Sequence, residues 1–142
     1  MKISLKDSDL VPEILDVFQN EIGTLYFFKS LVVAEINEGI HLNYKTAKAL
    51  LKAIKLFYKD CSSFGYISNR IHDYSISPIE FGKLLGHFPN LKLYGVVSYS
   101  DLNTMNANLE KRFCKVQYEN FTDVYSAKTW MTHTLFKKQN SA

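Results

Sequence analysis

The chain has 142 residues, 46% of them apolar and 22% charged, which describes one globular domain long enough to bury a core without metal or disulfide staples. A net charge of +3 is too small to imply nucleic acid, and no basic Gly-aromatic RNA-reading motif is present. Cys61 and Cys114 stand alone, with no CxxC and no His at ligand spacing, so neither a zinc site nor a disulfide framework is suggested and a reducing cytoplasm fits.

The opening MKISLKDSDLVPEIL carries acids at once and lacks the apolar core of a signal peptide. Residues 1–22 read as a weakly ordered arm or edge element: Pro12 after Asp9 allows a short helix, while EILDVFQNEI also alternates like a strand. From Gly23 to residue 137 the pattern sharpens into one α/β domain. TLYFF and LVVAEIN are aromatic and β-branched runs separated by Lys29-Ser30, which predicts a hairpin. The nearly all-apolar Leu31–Ala34 marks a strand covered on both faces, and LVVA is far too short to cross a bilayer.

Asn43 is placed to cap a helix through Tyr58, with Ala47, Leu50, Leu51, Ile54, Phe57 and Tyr58 on its apolar face. Lys45, Lys48, Lys52, Lys55 and Lys59 form a neighbouring stripe. FGYISNRI predicts a strand, and Ser77-Pro78-Ile79-Glu80 a capping box with proline at the first helical position. That helix carries Ile79, Phe81, Leu84, Leu85 and Phe88, and Pro89 stops it. LKLYGVVSY is a buried-type strand. Ser100 or Asp101 caps a helix expected to turn Leu102, Met105, Leu109 and Phe113 inward. KVQYENF alternates, with Val116 and Tyr118 on one side. Thr122 or Asp123 caps a last helix with Val124, Ala127, Trp130, Met131 and Leu135 inward, and the tail 138–142 is expected to fray. The resulting order, β-β-α-β-α-β-α-β-α, implies a mostly parallel sheet with only the opening hairpin antiparallel.

In element order and hydrophobic pattern, and in the stretches GTLYFF…VVAEINEG, FGYISNRI…YS…P and NANLEKRF, residues 24–135 resemble the STAS superfamily and its SpoIIAA-like (STAS/SEC14) group of small bacterial proteins. The resemblance implies a non-enzymatic regulatory or protein-interaction module. In signalling members an Asp-Ser-Ser-Gly-type turn at the start of the second helix carries a phosphorylatable serine. HDYSIS is the matching corner, with Asp73 and Ser75 where the family's aspartate and serine would stand; Tyr74 and Ile76 depart from the pattern.

Two readings of that corner stay open. In one, Ser77 caps the helix while Asp73 and Ser75 support the turn. In the other, Arg70, His72 and Ser75 receive an anion or a partner's carboxylate at a helix N-terminus. Tyr66, Ser68 and Arg70 share one strand face, so that face is partly open or Arg70 is paired. Catalysis by Ser, His and Asp is not expected: adjacent His72 and Asp73 point to opposite sides of an extended chain, and GxSxG, HExxH and phosphate-loop motifs are missing. No cofactor or metal is expected. His41, His87 and His133 are scattered singly.

Asn103, Asn106 and Asn108 are poor helix formers in a helix interior, and Asn106 and Glu110 lie one turn apart, beside the strand C-termini where open α/β sheets bind ligands. The lysine stripe is either a solvated face or a contact for an anionic membrane. The aromatic surplus (Tyr 9, Phe 10) either fills the core or lines a cavity for an apolar or lipid ligand. The expected partner is a regulatory protein, with a homodimer through an exposed sheet edge and an apolar ligand as alternatives.

Overall fold

The computed structural model describes residues 2–140, so Met1, Ser141 and Ala142, which fall in the expected arm and tail, lie outside the described residues. The hairpin forms as the aromatic and β-branched runs dictate: β2 (Gly23–Phe27) pairs antiparallel with β3 (Leu31–Ile36). All six residues of β3 are buried, as expected for a strand covered on both faces. From there the chain alternates: α1 (Tyr44–Phe57), β4 (Phe64–Asn69), α2 (Pro78–Leu85), β5 (Leu91–Val97), α3 (Asp101–Lys111), β6 (Gln117–Phe121) and α4 (Val124–Asn140). The pairings β3–β4, β4–β5 and β5–β6 are all parallel.

One strand was not assigned from the sequence, and it changes the character of the sheet. Within EILDVFQNEI, Asp16–Gln19 forms β1, which pairs antiparallel with β2 at the sheet edge. Asn20 makes the turn, its side-chain oxygen accepting from the backbone N–H groups of Ile22 and Gly23. The sheet is therefore mixed, in spatial order β1-β2-β3-β4-β5-β6, rather than mostly parallel with a single antiparallel hairpin. The order of elements is β-β-β-α-β-α-β-α-β-α. A four-residue edge strand with alternating character lies close to the shortest pattern that periodicity can reveal.

Because each parallel step joins adjacent strands through one crossover, right-handed connection puts α1, α2 and α3 on the same face. Their residues form two apolar clusters there, one around Leu50, Ile54 and Phe64 and one around Phe81, Tyr94 and Ala107. The other face is covered by α4, through Val124, Ala127, Met131 and Leu135, together with Leu5 and Leu10 of the N-terminal segment. Leu5 opens a 3-10 turn over Leu5–Asp7 and is fully buried.

The α1 N-terminus is closed by Asn43 as expected, in a reciprocal box with Thr46. Its other end is fixed by Tyr58, whose ring stacks on Phe64 with centroids 4.5 Å apart and whose buried hydroxyl donates to the hairpin carbonyls of Phe28 and Leu31. α2 ends at Leu85, earlier than Pro89 requires, with Gly86 after it. Ile79 faces outward and is 61% exposed, while Phe81, Leu84 and Phe88 are buried.

Close approach of α4 to the sheet depends on Gly65 of β4. A methyl group there would sit 2.7 Å from Cγ of the fully buried Met131. Gly65→Ala is expected to cost about 1–3 kcal/mol through overpacking, read as a lower urea midpoint with an unchanged denaturant slope. An unchanged midpoint would show that α4 can shift freely against the sheet.

Candidate functional site

The C-terminal end of β4 carries polar side chains to both sides of the sheet. Strand alternation sends Ser68 and Arg70 toward the face of α1, α2 and α3, and Asn69 to the opposite face. The Arg70 N–H still donates to the Val97 carbonyl, at 3.1 Å, so the side chain is launched from ladder-like backbone beside β5. The guanidinium is 5% exposed and makes a two-pronged ion pair with Glu110 of α3, at 2.7 and 2.5 Å. Its Nε donates to Ser68 Oγ at 3.1 Å, and its plane lies 5.4 Å from the Tyr74 ring. Burial opposes its charge, but Tyr74 and Glu110 outweigh that and hold its pKa well above the ordinary value. Of the alternatives open in the sequence, the structure shows Arg70 paired, and the carboxylate comes from its own chain.

Glu110 can reach Arg70 only because α3 is rotated away from the expected orientation. Its buried residues are Asn103, Ala107 and Glu110, whereas Leu102, Met105, Leu109 and Phe113 are 60, 63, 48 and 44% exposed. The inward assignment of those four was wrong. The helix presents its polar and small face to the sheet because two groups there need hydrogen-bonding partners. Glu110 takes Arg70, and Asn103 Nδ2 donates to Asp73 Oδ1 at 3.0 Å. Ala107 leaves room for both and packs with Phe81, Tyr94 and Val96. α2 then lies against the end of α3 so closely that a methyl group on Gly82 would come 2.9 Å from the Phe113 carbonyl.

The corner after β4 is sewn to the loop before α1. Ser75 N donates to Ile40 O at 2.9 Å, Leu42 N to Ser75 O at 2.7 Å, and Ser75 Oγ lies 2.8 Å from His41 Nδ1. Gly39 N donates to Asp73 O, and Glu38 accepts from Asp73 N while lying 3.8 Å from the exposed His72. Ser77 caps α2 by accepting from Glu80 N at 3.2 Å. Glu80 does not complete the box; its carboxylate lies 3.5 Å from Tyr44 N, at the start of α1.

Arg70, Tyr74, Ser75, Pro78, Asn106 and Glu110 line one cleft of about 140 Å³, with Leu109 at its rim. It brings together four of the residues singled out from the sequence, Arg70, Ser75, Asn106 and Glu110. His72, Asp73 and Ser77 lie outside the cleft lining, and the five lysines are on α1 and just beyond it. Tyr74, Glu38 and His41 were not assigned to a site, and Asn103 was noted only as a poor helix former. Of these, Asn103 left the clearest signal, being a poor helix former at a helix's third position. Among the described residues no group of His, Cys, Asp and Glu is arranged to hold a metal ion. Under α1 and α2 the apolar interior encloses about 50 Å³ beside Leu50, Ile54, Phe81, Leu84, Phe88 and Tyr94. Small-molecule pockets commonly measure about 300–1,000 Å³, so this one is sized for water and not for an acyl chain.

Behind the ion pair stands a ladder of tyrosines in register on three strands. Tyr66 stacks on Tyr94, and Tyr94 on Tyr118, with centroids 5.1 and 5.2 Å apart. Desolvation raises all three hydroxyl pKa values above the usual range; the Glu110 charge adds to this and Arg70 opposes it. On the other face, Tyr99 donates to Asn69 Oδ1 at 2.7 Å, and burial pushes its hydroxyl up to about 12. Comparison with protein-family models, with curated proteins and with solved structures finds no match.

Removing Glu110 alone should be far worse than removing the pair. Glu110→Leu strands a buried guanidinium and is expected to cost about 3–5 kcal/mol, while Arg70→Met with Glu110→Leu should recover most of that. Urea unfolding of the three proteins checks this, and equal losses for the single and double variants would contradict it. Tyrosines whose pKa is raised in the folded state stabilise the fold fully below the unfolded value near 10, and that stability is lost as pH rises beyond it. Stability should therefore fall from about pH 10 upward, with part of the phenolate absorbance appearing only together with unfolding. Full tyrosine titration in a still-folded protein would refute the burial account.

Proposed function

We propose that the chain is a non-catalytic regulatory module of STAS-like kind that docks a protein partner on the outward face of α3 and the adjoining start of α2. The observation that carries this reading is the rotation of α3. A helix in a single domain normally turns its apolar stripe to the core, yet Leu102, Met105, Leu109 and Phe113 run in helical spacing along the exposed side. Ile79 of α2 adds a fifth exposed apolar side chain. Contiguous apolar surface of this kind marks interaction sites, and an i, i+3, i+7 spacing suits a helix laid alongside.

The rim has a sign. Lys111, Arg112 and Lys115 are exposed at the C-terminal end of the stripe, so the partner that fits is an apolar helix or ridge flanked by acidic residues. The cleft beside Pro78, Asn106 and Leu109 supplies polar hydrogen-bonding groups at the other border. In this reading Arg70 does not touch the partner; with Glu110 it holds α3 in the rotation that exposes the stripe.

Met105→Glu and Leu109→Glu change exposed positions, so the melting temperature should stay within a few degrees of the parent. In quantitative pull-downs, proteins captured by the parent chain should be lost with either variant and kept with Val11→Glu, a control at another exposed apolar site. Capture of the same set by all three proteins would reject the α3 surface. Self-association of the parent that disappears in Met105→Glu would identify a second copy as the partner.

A further inference from the structure

The five lysines of the α1 stripe set a run of positive charge along one helix. Lys45, Lys48, Lys52, Lys55 and Lys59 are all exposed, and among the described residues none lies within ion-pairing distance of a carboxylate. At 100° per residue Lys45, Lys48, Lys52 and Lys55 fall within about a quarter of the helix circumference and span about 15 Å of axis, with Lys59 just beyond the helix end. No acid occurs between Tyr44 and Lys59. The opposite side of α1, through Ala47, Leu50 and Ile54, is committed to the core, so the lysine side is a rigid ridge and not a free amphipathic peptide.

The other residues on that ridge are apolar. Leu56 is 60% exposed beside Lys52, and across a shallow groove lie Asp16 and Phe18 of the edge strand β1. Tyr44 is 48% exposed, but its ring is stacked on His87 with centroids 5.1 Å apart. One face of the Tyr44 ring is thus taken by His87, and the ridge has no guanidinium for bidentate recognition; both arginines lie elsewhere. The ridge therefore offers flexible ammonium groups and a protruding leucine. Point charges on long stems, beside an exposed leucine, match a diffuse negative field with an apolar layer beneath it.

We propose that the α1 ridge docks this protein on an anionic phospholipid bilayer, with Lys45, Lys48, Lys52, Lys55 and Lys59 on the headgroups and Leu56 at the acyl boundary. Each lysine near such a surface adds roughly a fivefold factor in partition, and the factors are lost together when salt screens the field. The ridge and the α3 stripe belong to different helices. The proposal does not depend on that stripe having a partner.

The test is flotation of the full chain with vesicles of phosphatidylcholine alone, or of phosphatidylcholine and phosphatidylserine in equal parts. The parent should float with the phosphatidylserine vesicles at low salt, fail to float with phosphatidylcholine, and be released by high salt. Lys48→Gln, Lys52→Gln and Lys55→Gln combined should reduce partition on the order of a hundredfold. A second triple variant, Lys6→Gln, Lys92→Gln and Lys137→Gln, has the same net charge and should lose no more than a few-fold. Lys52→Gln alone, expected to lose about fivefold, serves if the first triple variant fails to fold. No flotation with phosphatidylserine, or equal losses in the two triple variants, overturns the proposal. So does a parent that ignores the vesicles but binds polyglutamate or homopolymeric RNA through the same lysines, which would assign the ridge to that polyanion.

Discussion

A guanidinium taken out of water at the end of a central strand must have a carboxylate, and in this protein that requirement orients a whole helix. Arg70 is carried inward by strand alternation from β4, next to a fully buried Val96 on β5 and under the Tyr74 ring. An isolated buried charge of this kind would cost several kcal/mol. Glu110 meets it with both oxygens. Since Glu110 and Asn103 sit on the polar side of α3, satisfying Arg70 and Asp73 forces that side toward the sheet. The apolar stripe of the same helix is then left facing solvent. Moving four apolar side chains out of the core sacrifices up to about 1.5–3 kcal/mol each on a transfer scale. The residual contact they keep at roughly half exposure reduces that loss. Against it stand the buried charge that Glu110 compensates and the hydrogen bond made by Asn103.

The opposite face of the sheet solves a related problem with the first residues of the chain. Glu35 is 5% exposed and accepts hydrogen bonds from Ser4 Oγ, Leu5 N and Asn69 Nδ2, at 2.7, 2.7 and 2.8 Å. Asn69 also donates to the Ile3 carbonyl and accepts from Tyr99. Among the described residues this carboxylate has three donors and no cationic partner, and the donors come largely from the N-terminal segment. The polar groups of adjacent β4 residues thus hold down different elements, α3 on one side and the N-terminal segment on the other. The C-terminal ends of the parallel strands, the usual place for a ligand in open α/β sheets, are covered on both faces. What remains open is the 140 Å³ cleft between the corner and α3.

The two surfaces that the structure leaves free are chemically unlike each other. The α3 face is apolar with a basic rim, and the α1 ridge is basic with an exposed leucine. Both helices are held by their inner sides, α1 through Leu50, Ile54 and the Tyr58 hydroxyl, α3 through Glu110 and Asn103.

Local pattern determined much of this molecule. The buried β3, the Asn43, Ser77 and Ser100 caps, the apolar faces of α1 and α4, and the alternation of helices with strands are all short-range properties, and the chain states them without reference to the fold. It also stated a choice at Arg70, an open strand face or a paired side chain. Only the tertiary structure could decide which, because the pairing spans forty positions and depends on where right-handed crossover sets α3 down beside β4. The same long-range requirement overrode the amphipathic pattern of α3, which on its own points Leu102, Met105, Leu109 and Phe113 the wrong way. β1 escaped for a different reason: an edge strand becomes legible through its pairing with β2, and four residues of weak alternation do not announce that pairing. Periodicity reports which face of an element is apolar; it does not report which buried charge, elsewhere in the chain, will claim the other face.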